Sequence, residues 1–296
     1  MGPCDTDGTL ANSKGNTMKK IRKTVTGHPA IDGAGVHLVR VLGGRTVTDF
    51  DPFLMLDSFD SSNPEDYIKG FPMHPHRGIE TITYLVEGEI QHQDSLGNKG
   101  SILSGQAQWM TAGSGILHQE MPQAAKRMLG LQIWLNLPRS EKMTDPAYFG
   151  ITREMVPTVA EGGATVRVIS GSYKTTHGIT PKHIQATMYD VSLEANEAIN
   201  LETRPGENVF VFLLLGGSII DERNIAEKTA VLFGEGDGIR IAATKDAPVR
   251  FIFFSGKPLG EPVAWGGPIV MNTEEELATA FNELESGRFI KHAPAM

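Results

Sequence analysis

The chain is almost free of cysteine, with Cys4 as the single example among 296 residues. One thiol cannot close an intrachain disulfide, so a disulfide scaffold and a zinc site built from cysteine thiolates are both excluded. Long apolar runs are also missing, and no segment approaches the roughly 20 apolar residues that span a bilayer. The first 17 residues contain no hydrophobic signal segment. We therefore expect a cytoplasmic protein.

An excess of basic residues is absent as well. The formal net charge is -8, which argues against direct binding of nucleic acid or of an anionic membrane. A basic run at Lys19–Lys23 is the exception, and we interpret it as a solvated first strand and not as a nucleic-acid arm.

The length predicts two domains. Residues 1–17 are rich in Gly, Ser, Asn and Asp and are interpreted as a disordered leader or tag. The first domain is then expected over 18–145 and the second over 146–296, with the connection near Pro138–Gly150.

Short apolar runs separated by Gly, Pro, Asn and Asp continue to about residue 270. Their β-branched and aromatic content favours strands, and many short strands with frequent turns predict an all-β sandwich or barrel. The clearest runs are Val36–Leu42, Ile79–Val86, Met128–Leu137, Thr165–Ile169, Val209–Leu215 and Val249–Phe254.

One helix is predicted near the end of the chain. Thr273 can cap it, with Glu276 as its capping-box partner. Leu277, Phe281 and Leu284 fall on one face, which indicates a structural cover packed on the second domain.

A faint repeat links the two halves. Tyr84–Gly88 (YLVEG) is echoed about 130 residues later by Phe212–Gly216 (FLLLG), which favours two similar barrels. The repeat aligns His74 and His76 with Glu202 and Arg204, and the region of His118 with Ala247–Arg250. Because the aligned segments contain no histidine, we expect the second barrel to hold no metal.

Two pairs of ligand-type residues carry the chemistry, His74-Pro-His76 and His118-Gln-Glu120. Alternate residues on a strand share a face, so each pair points in one direction. Two such pairs on neighbouring strands would converge on one divalent ion, and imidazole with carboxylate suits iron, manganese, nickel, copper or zinc. Four protein ligands leave positions open, as a reactive metal requires.

The remaining histidines are assigned no ligand role. His92 lies near the motifs and is interpreted as a strand residue that is not a direct ligand. The others without ligand-spaced partners are interpreted as ordinary polar residues: His28, His37, His177, His183 and His292.

The segments His74–Thr81 and Gln108–Pro122, together with Asp51–Asp57 and the linker Leu137–Met143, resemble the pirin family of the cupin superfamily. The resemblance spans roughly residues 20–290. It implies two tandem cupin barrels, each a double-stranded β-helix or jelly roll, with a short C-terminal helix.

The resemblance also implies an iron centre in the first barrel, held by His74, His76, His118 and Glu120. Fe(II) is the expected metal, and Ni, Zn, Mn or Cu could replace it in isolated protein. Cupins in general take their carboxylate ligand from the position of Glu80. Alternation from His74 and His76 would also place Glu80 on their strand face, so Glu80 stays an alternative to Glu120. Otherwise we expect it to lie behind the ligands and orient their imidazoles.

Two functions follow from the resemblance. The first is quercetin 2,3-dioxygenase-type cleavage of a small aromatic or enol substrate, with Glu120 or Glu80 as general base. A dry cavity would be lined by Ile82, Tyr84, Val86 and Ile116. The alternative is a metal- or redox-dependent regulator that binds a transcription factor or a metabolic enzyme.

Overall fold

Strands make up nearly all of the regular structure, as the apolar runs predict. The computed structural model describes residues 17–292, so the predicted leader, apart from Thr17, lies outside the described residues. No helix within 17–292 is long and apolar enough to cross a membrane.

The strands of residues 17–292 are, in chain order, β1 (Ile21–Thr26), β2 (His28–Asp32), β3 (Val36–Leu42), β4 (Phe53–Ser61), β5 (Phe71–His76), β6 (Ile79–Glu87), β7 (Glu89–Asp94), β8 (Lys99–Leu103), β9 (Ala107–Thr111), β10 (Ile116–Pro122), β11 (Met128–Asn136), β12 (Ala147–Ile151), β13 (Thr158–Glu161), β14 (Ala164–Ser170), β15 (Ser172–Tyr173), β16 (Thr176–His177), β17 (Thr187–Leu193), β18 (Ala198–Glu202), β19 (Asn208–Leu215), β20 (Ser218–Ile220), β21 (Arg223–Ile225), β22 (Thr229–Phe233), β23 (Gly238–Ala243), β24 (Val249–Gly256), β25 (Ala264–Gly266) and β26 (Ile269–Met271). The α-helices are α1 (Val47–Phe50) and α2 (Glu274–Glu285), and short 3-10 turns occur at Pro64–Asp66, Arg139–Glu141 and Arg153–Met155.

Each of two barrels pairs a seven-stranded sheet with a four-stranded one. The first barrel has the orders β12-β9-β6-β11-β4-β3-β2 and β5-β10-β7-β8, and the second has β1-β22-β19-β24-β17-β14-β13 and β18-β23-β20-β21. The two orders correspond strand by strand, so β6 with Tyr84–Gly88 occupies the place that β19 with Phe212–Gly216 occupies in the other barrel. The faint repeat in the sequence therefore reflects a repeated barrel.

The same correspondence corrects one alignment. The counterpart of β10, which carries His118, is β23 and not Ala247–Arg250, where β24 begins. The strands β20 and β21 are shorter than β7 and β8, so a fixed offset in sequence overshoots the matching strand. Like the segment first aligned, β23 contains no histidine.

The barrels exchange edge strands across the predicted domain boundary. The first strand, β1, pairs with β22 in the second barrel, whereas β12 pairs with β9 in the first. The division at residues 145 and 146 therefore does not separate the strands of the two barrels. Arg22 and Lys23 on β1 are exposed and form ion pairs with Asp49.

The largest apolar cluster lies between the two seven-stranded sheets. It combines Ile82 and Tyr84 of the first barrel with Phe210 and Phe254 of the second, and Val86 packs at its margin. The prediction that Ile82, Tyr84 and Val86 would line the metal cavity is therefore wrong, because their strand positions face the other barrel. Ile116 belongs to a separate cluster with Met110 and Trp134.

Tyr84 of the first barrel forms a hydrogen bond to a buried charged residue of the second. Its hydroxyl donates to Asp190 Oδ2 at 2.7 Å, and Asp190 is also paired with Arg250. Burial, followed by the charge of Asp190, raises the pKa of Tyr84 well above its ordinary value, so the phenol stays a donor. A hydrogen bond to a buried charge contributes more than one between neutral groups.

We expect Tyr84→Phe to lower the free energy of unfolding by about 1.5–3 kcal/mol, measured by urea denaturation. Tyr173→Phe is the matched control, because its hydroxyl donates at 3.0 Å to Glu161, which is partly exposed, whereas Asp190 is fully buried. There the loss should stay below about 1 kcal/mol. Equal losses in both variants would contradict a special role for the buried pair.

Helix α2 has the predicted cap and the predicted packing face. Thr273 Oγ1 accepts from the Glu276 amide at 3.2 Å, and Glu276 Oε2 accepts from the Thr273 amide at 3.1 Å. Leu277, Phe281 and Leu284 pack on β25 and β26 together with Phe289. The helix thereby covers the segment that reaches from the second barrel to the first.

Candidate metal centre

Three of the four predicted ligands converge in the first barrel. In the antiparallel pairing of β5 with β10, His74 lies opposite His118 and His76 lies opposite Ile116. Ring nitrogens of His74, His76 and His118 all lie within 4.8 Å of one another. Within each strand, the alternation of side chains therefore places the histidines as predicted.

Backbone carbonyls fix the orientation of two of these rings. His74 Nδ1 lies 2.8 Å from Pro72 O, and His76 Nδ1 lies 3.1 Å from Pro268 O. Because a carbonyl only accepts, each Nδ1 carries the proton and each Nε2 presents a lone pair. The two Nε2 atoms face each other at 3.1 Å. Two nitrogens bound at right angles to one ion, each about 2.1 Å away, would be separated by about 3 Å.

His118 supplies the strongest test of whether a metal fits. The residue has no exposed surface, and neither of its ring nitrogens has a hydrogen-bond partner among the described residues. Burial, followed by the neighbouring His76 and His74, lowers the pKa of His118 well below its ordinary value. Burial likewise lowers the pKa of His76 to about 3. Neutral imidazoles with free lone pairs are what a divalent cation requires.

Glu120 lies on the same strand face as His118 but outside the group of converging nitrogens. Its Oε1 accepts from Thr83 Oγ1 at 2.8 Å and from Gln108 Nε2, and its Oε2 accepts from Gln132 Nε2 at 2.6 Å. An ionised carboxylate oxygen can accept two bonds, so Oε2 keeps one lone pair free. The role of Glu120 as fourth ligand stays a prediction.

Sequence reasoning missed the three donors to Glu120. A signal for them exists, since Thr83, Gln108 and Gln132 are polar residues within otherwise apolar strands. Buried polar side chains in such strands mark a polar barrel interior, because each one needs a partner.

Glu80 lies apart from the histidines, and the prediction that it shares their strand face is wrong. The left-handed Gly78, at φ 77°, separates β5 from β6, and alternation does not continue across that break. Thr83 points to Glu120 in the barrel interior, so Glu80, at an odd spacing from it, points to the opposite side. There Glu80 Oε1 accepts from Thr111 Oγ1 at 2.7 Å.

His92 is also outside the converging group, as predicted. Its Nε2 lies 3.1 Å from Asp94 Oδ2, and its ring stacks on Tyr148 with centroids 4.3 Å apart. The ring centroid of His118 is 5.6 Å away. His92 therefore packs behind the candidate ligands.

A cavity of about 560 Å³ opens beside His74 and His76. We call it the first cavity. Trp134 and Trp265 form one aromatic wall with ring centroids 5.9 Å apart, and Trp265 comes from the second barrel. On the polar side Arg40 is paired with buried Asp57 at 2.7 Å. The size and the mixed lining suit a small aromatic molecule with polar substituents.

Two family models match the chain: Pirin over residues 35–135, and the Pirin C-terminal cupin domain over residues 188–290. Together they cover more than half of its length. The chain belongs to the pirin family. Its two barrels are the two cupin domains of that family, in agreement with the resemblance in the metal-site motifs.

Full-length relatives support this membership. The chain is 42% identical over 276 residues to a pirin-like protein of Caulobacter vibrioides, covering 92% of this chain and 99% of that one. It is 37% identical over 279 residues to pirin of Homo sapiens, covering 91% and 93%. A crystal structure of quercetin 2,3-dioxygenase from Acinetobacter baumannii superposes with a TM-score of 0.85 at 32% identity, covering 92% and 99%.

Proposed function

We propose that this member of the pirin family is an iron-dependent dioxygenase that cleaves a flavonol or a related aromatic enol. The observation that carries the proposal is the convergence of three histidine nitrogens beside the first cavity, where both nitrogens of buried His118 lack a partner within residues 17–292. The name of the Acinetobacter relative supports the same reaction class. His74, His76 and His118 would hold Fe(II), and Glu120 would add a carboxylate oxygen.

When bound, Fe(II) supplies Lewis acidity toward an enol oxygen and the redox chemistry that dioxygen requires. The protein would contribute orientation and proton handling. Trp134 and Trp265 pack on each other, so they offer one aromatic wall for a substrate ring and not a slot between them. The indole of Trp134 donates to Gln132 Oε1 at 3.2 Å, and Gln132 in turn donates to Glu120.

Glu120 would hold the proton of the substrate hydroxyl in place of its bond to the metal, because the one free lone pair of Oε2 can serve only one of these roles at a time. Its Oε2 accepts a single protein hydrogen bond, whereas Oε1 accepts two. A carboxylate held by three neutral donors stays oriented while it gains or loses a proton. The hydrogen bonds from Trp134 to Gln132 and from Gln132 to Glu120 would hold this carboxylate in a fixed position relative to the substrate ring.

Turnover tests the proposal directly. Protein loaded with Fe(II) and mixed with quercetin under air should consume one dioxygen for each carbon monoxide released, with loss of the flavonol absorbance. Protein loaded with Zn(II) is the matched control, since zinc fits the same ligands but has no redox chemistry. It should bind the flavonol, quench the tryptophan fluorescence and remain inactive.

Two outcomes would contradict the proposal. Equal turnover with iron and zinc would place the reaction outside the histidine site. An iron-loaded protein that cleaves neither quercetin nor other flavonols would favour the regulatory alternative, in particular if it captured a specific protein only in its iron-bound form.

A further inference from the structure

A second cavity, of about 480 Å³, lies on the opposite side of β6 and β9 from the histidines. Glu80, Trp109 and Thr111 of the first barrel line it together with Phe149 and Met155. The alternation of β9 separates the two cavities, because Gln108 points to Glu120 whereas Trp109 points to the second cavity. None of its lining residues belongs to the proposed metal centre.

The second cavity contains a buried carboxylate with an unused oxygen. Glu80 is 1% exposed, and Oε1 accepts from Thr111, but Oε2 has no hydrogen-bond partner among the described residues. The Trp109 indole and the Ile184 backbone amide also lie near the Glu80 carboxylate and lower its pKa, although Oε2 has no hydrogen-bond partner among the described residues. A buried charged group without its full set of partners is costly to leave unsatisfied.

The energetic strain on Glu80 has a clear physical cause. Burial raises the pKa of Glu80 above its ordinary value, against the lowering effects of the Thr111 hydroxyl, the Trp109 indole, His183 and the Ile184 backbone amide. The net rise means that the protein itself does not fully compensate the ionised form. A ligand that brings a donor, and above all a positive charge, would complete the compensation.

His183 adds a second unused acceptor nearby. Its side chain is 6% exposed, and its Nδ1 lies 2.6 Å from Glu141 Oε2. In the neutral ring the proton then sits on Nδ1, which leaves Nε2 as an acceptor, and this nitrogen is also buried and unpartnered. Glu80 Oε2 and His183 Nε2 are therefore both acceptors that a hydrogen-bond donor of a ligand could satisfy.

The rest of the lining is mostly apolar, with Thr180 and Lys182 as polar exceptions, and continues to the surface. Phe149 is 47% exposed and Met155 is 37% exposed, so large apolar side chains stand at the mouth while the carboxylate lies at the inner end. Lys182 is the one cationic residue of the lining, and it is exposed. Such a gradient suits a molecule with an apolar body and one polar end.

We propose that the second cavity binds a small primary amine with an aromatic or aliphatic body, with its ammonium group on Glu80. The ammonium would donate to Oε2 and neutralise the buried charge, while Trp109, Phe149 and Met155 would enclose the body. A carboxylate of the same size would place a second anion next to Glu80 and is therefore disfavoured. The proposal does not depend on the metal centre.

The three tryptophans allow a test that reports on each cavity separately, because Trp109 lines the second cavity whereas Trp134 and Trp265 line the first. In the full-length, zinc-loaded protein labelled with 5-fluorotryptophan, 2-phenylethylamine should shift the fluorine resonance of Trp109, assigned through Trp109→Phe. We expect saturation with a Kd on the order of 1 mM or below, and 3-phenylpropionate should bind at least about tenfold more weakly.

Two substitutions test whether Glu80 is the residue that binds the ammonium group. Glu80→Gln should weaken binding of the amine by about tenfold or more, whereas Lys182→Gln, which removes the like charge at the rim, should leave it equal or tighter. If Glu80→Gln fails to fold, Met155→Trp fills the cavity without touching the carboxylate and should abolish the Trp109 shift. Equal binding of amine and carboxylate, a shift confined to Trp134 and Trp265, or no shift at all would overturn the proposal.

Discussion

Replacing His118 by leucine is expected to abolish metal binding and with it catalysis. The metal content should fall from about one ion per chain to below about 0.1, and turnover of a flavonol by about a thousandfold or more, because the substitution removes one of the three converging imidazole nitrogens that would hold the ion. Metal analysis of protein reconstituted with Fe(II) and then desalted measures the first effect. His177→Leu is the control, because His177 is exposed and bonds Ser172 outside the site.

The urea stability of metal-free His118→Leu distinguishes the loss of a metal ligand from the loss of the fold. Without metal, neither nitrogen of buried His118 has a partner in the part of the chain that the structure describes, and each unsatisfied buried group costs about 1–3 kcal/mol. Leucine removes both groups at similar volume, so the metal-free variant should be at least as stable to urea as the metal-free parent.

Bound metal should make the parent protein more stable than His118→Leu. An ion present at about 1,000 times its Kd stabilises the folded state by about 4 kcal/mol, so a chelator should lower the melting temperature of the parent and leave that of His118→Leu unchanged. A chelator effect of equal size on both proteins would show that the ion binds elsewhere.

The behaviour of the site residues shows how far alternation along a strand can be trusted. It correctly places His74 with His76, and His118 with Glu120, because each pair lies within one strand. It fails for Glu80, because Gly78 interrupts the strand, and for Ile82 and Tyr84, because both faces of β6 are buried and an apolar residue does not reveal which side it packs against.

Other features depend on contacts that no local pattern records. The hydrogen bond from His76 to Pro268 joins residues 192 positions apart, and Trp265 reaches the first cavity from the second barrel. The exchange of β1 and β12 between barrels is equally non-local, since each strand reads only as a short edge strand in the sequence. The repeat predicted that there are two barrels but not how they interlock.

Arg77 is the residue through which the second barrel reaches the proposed metal centre. It follows His76 directly, is 2% exposed, and donates from Nε to Ser114 O at 2.7 Å and from Nη2 to Phe289 O at 2.9 Å. Its guanidinium lies 4.2 Å from the centroid of the Phe289 ring, and Nη1 forms an ion pair at 2.8 Å with Glu283 on α2. Next to it, the Val270 amide donates to Arg77 O at 3.1 Å.

We expect Arg77→Met to lower the free energy of unfolding of the metal-free protein by about 3–5 kcal/mol, because it leaves two buried carbonyls and a carboxylate without their cation. Urea denaturation in the presence of a chelator measures this loss. Arg139→Met is the matched control, since Arg139 is exposed and pairs with Glu276 on the same helix. There the loss should stay below about 1 kcal/mol.

The same substitution should also weaken the metal site in protein that remains folded. The Arg77 side chain bonds Phe289 O and pairs with Glu283 on α2, and Phe289 packs in one cluster with Ile269 and Met271 of β26. Pro268, which precedes Ile269, orients the His76 ring through its carbonyl. Loss of a group that orients a ligand typically costs about 10–100-fold in metal affinity, which competition with a chelator of known affinity would measure. An unchanged affinity in folded Arg77→Met would mean that α2 only covers the barrel. A reduced affinity would mean that the second barrel positions a ligand in the first.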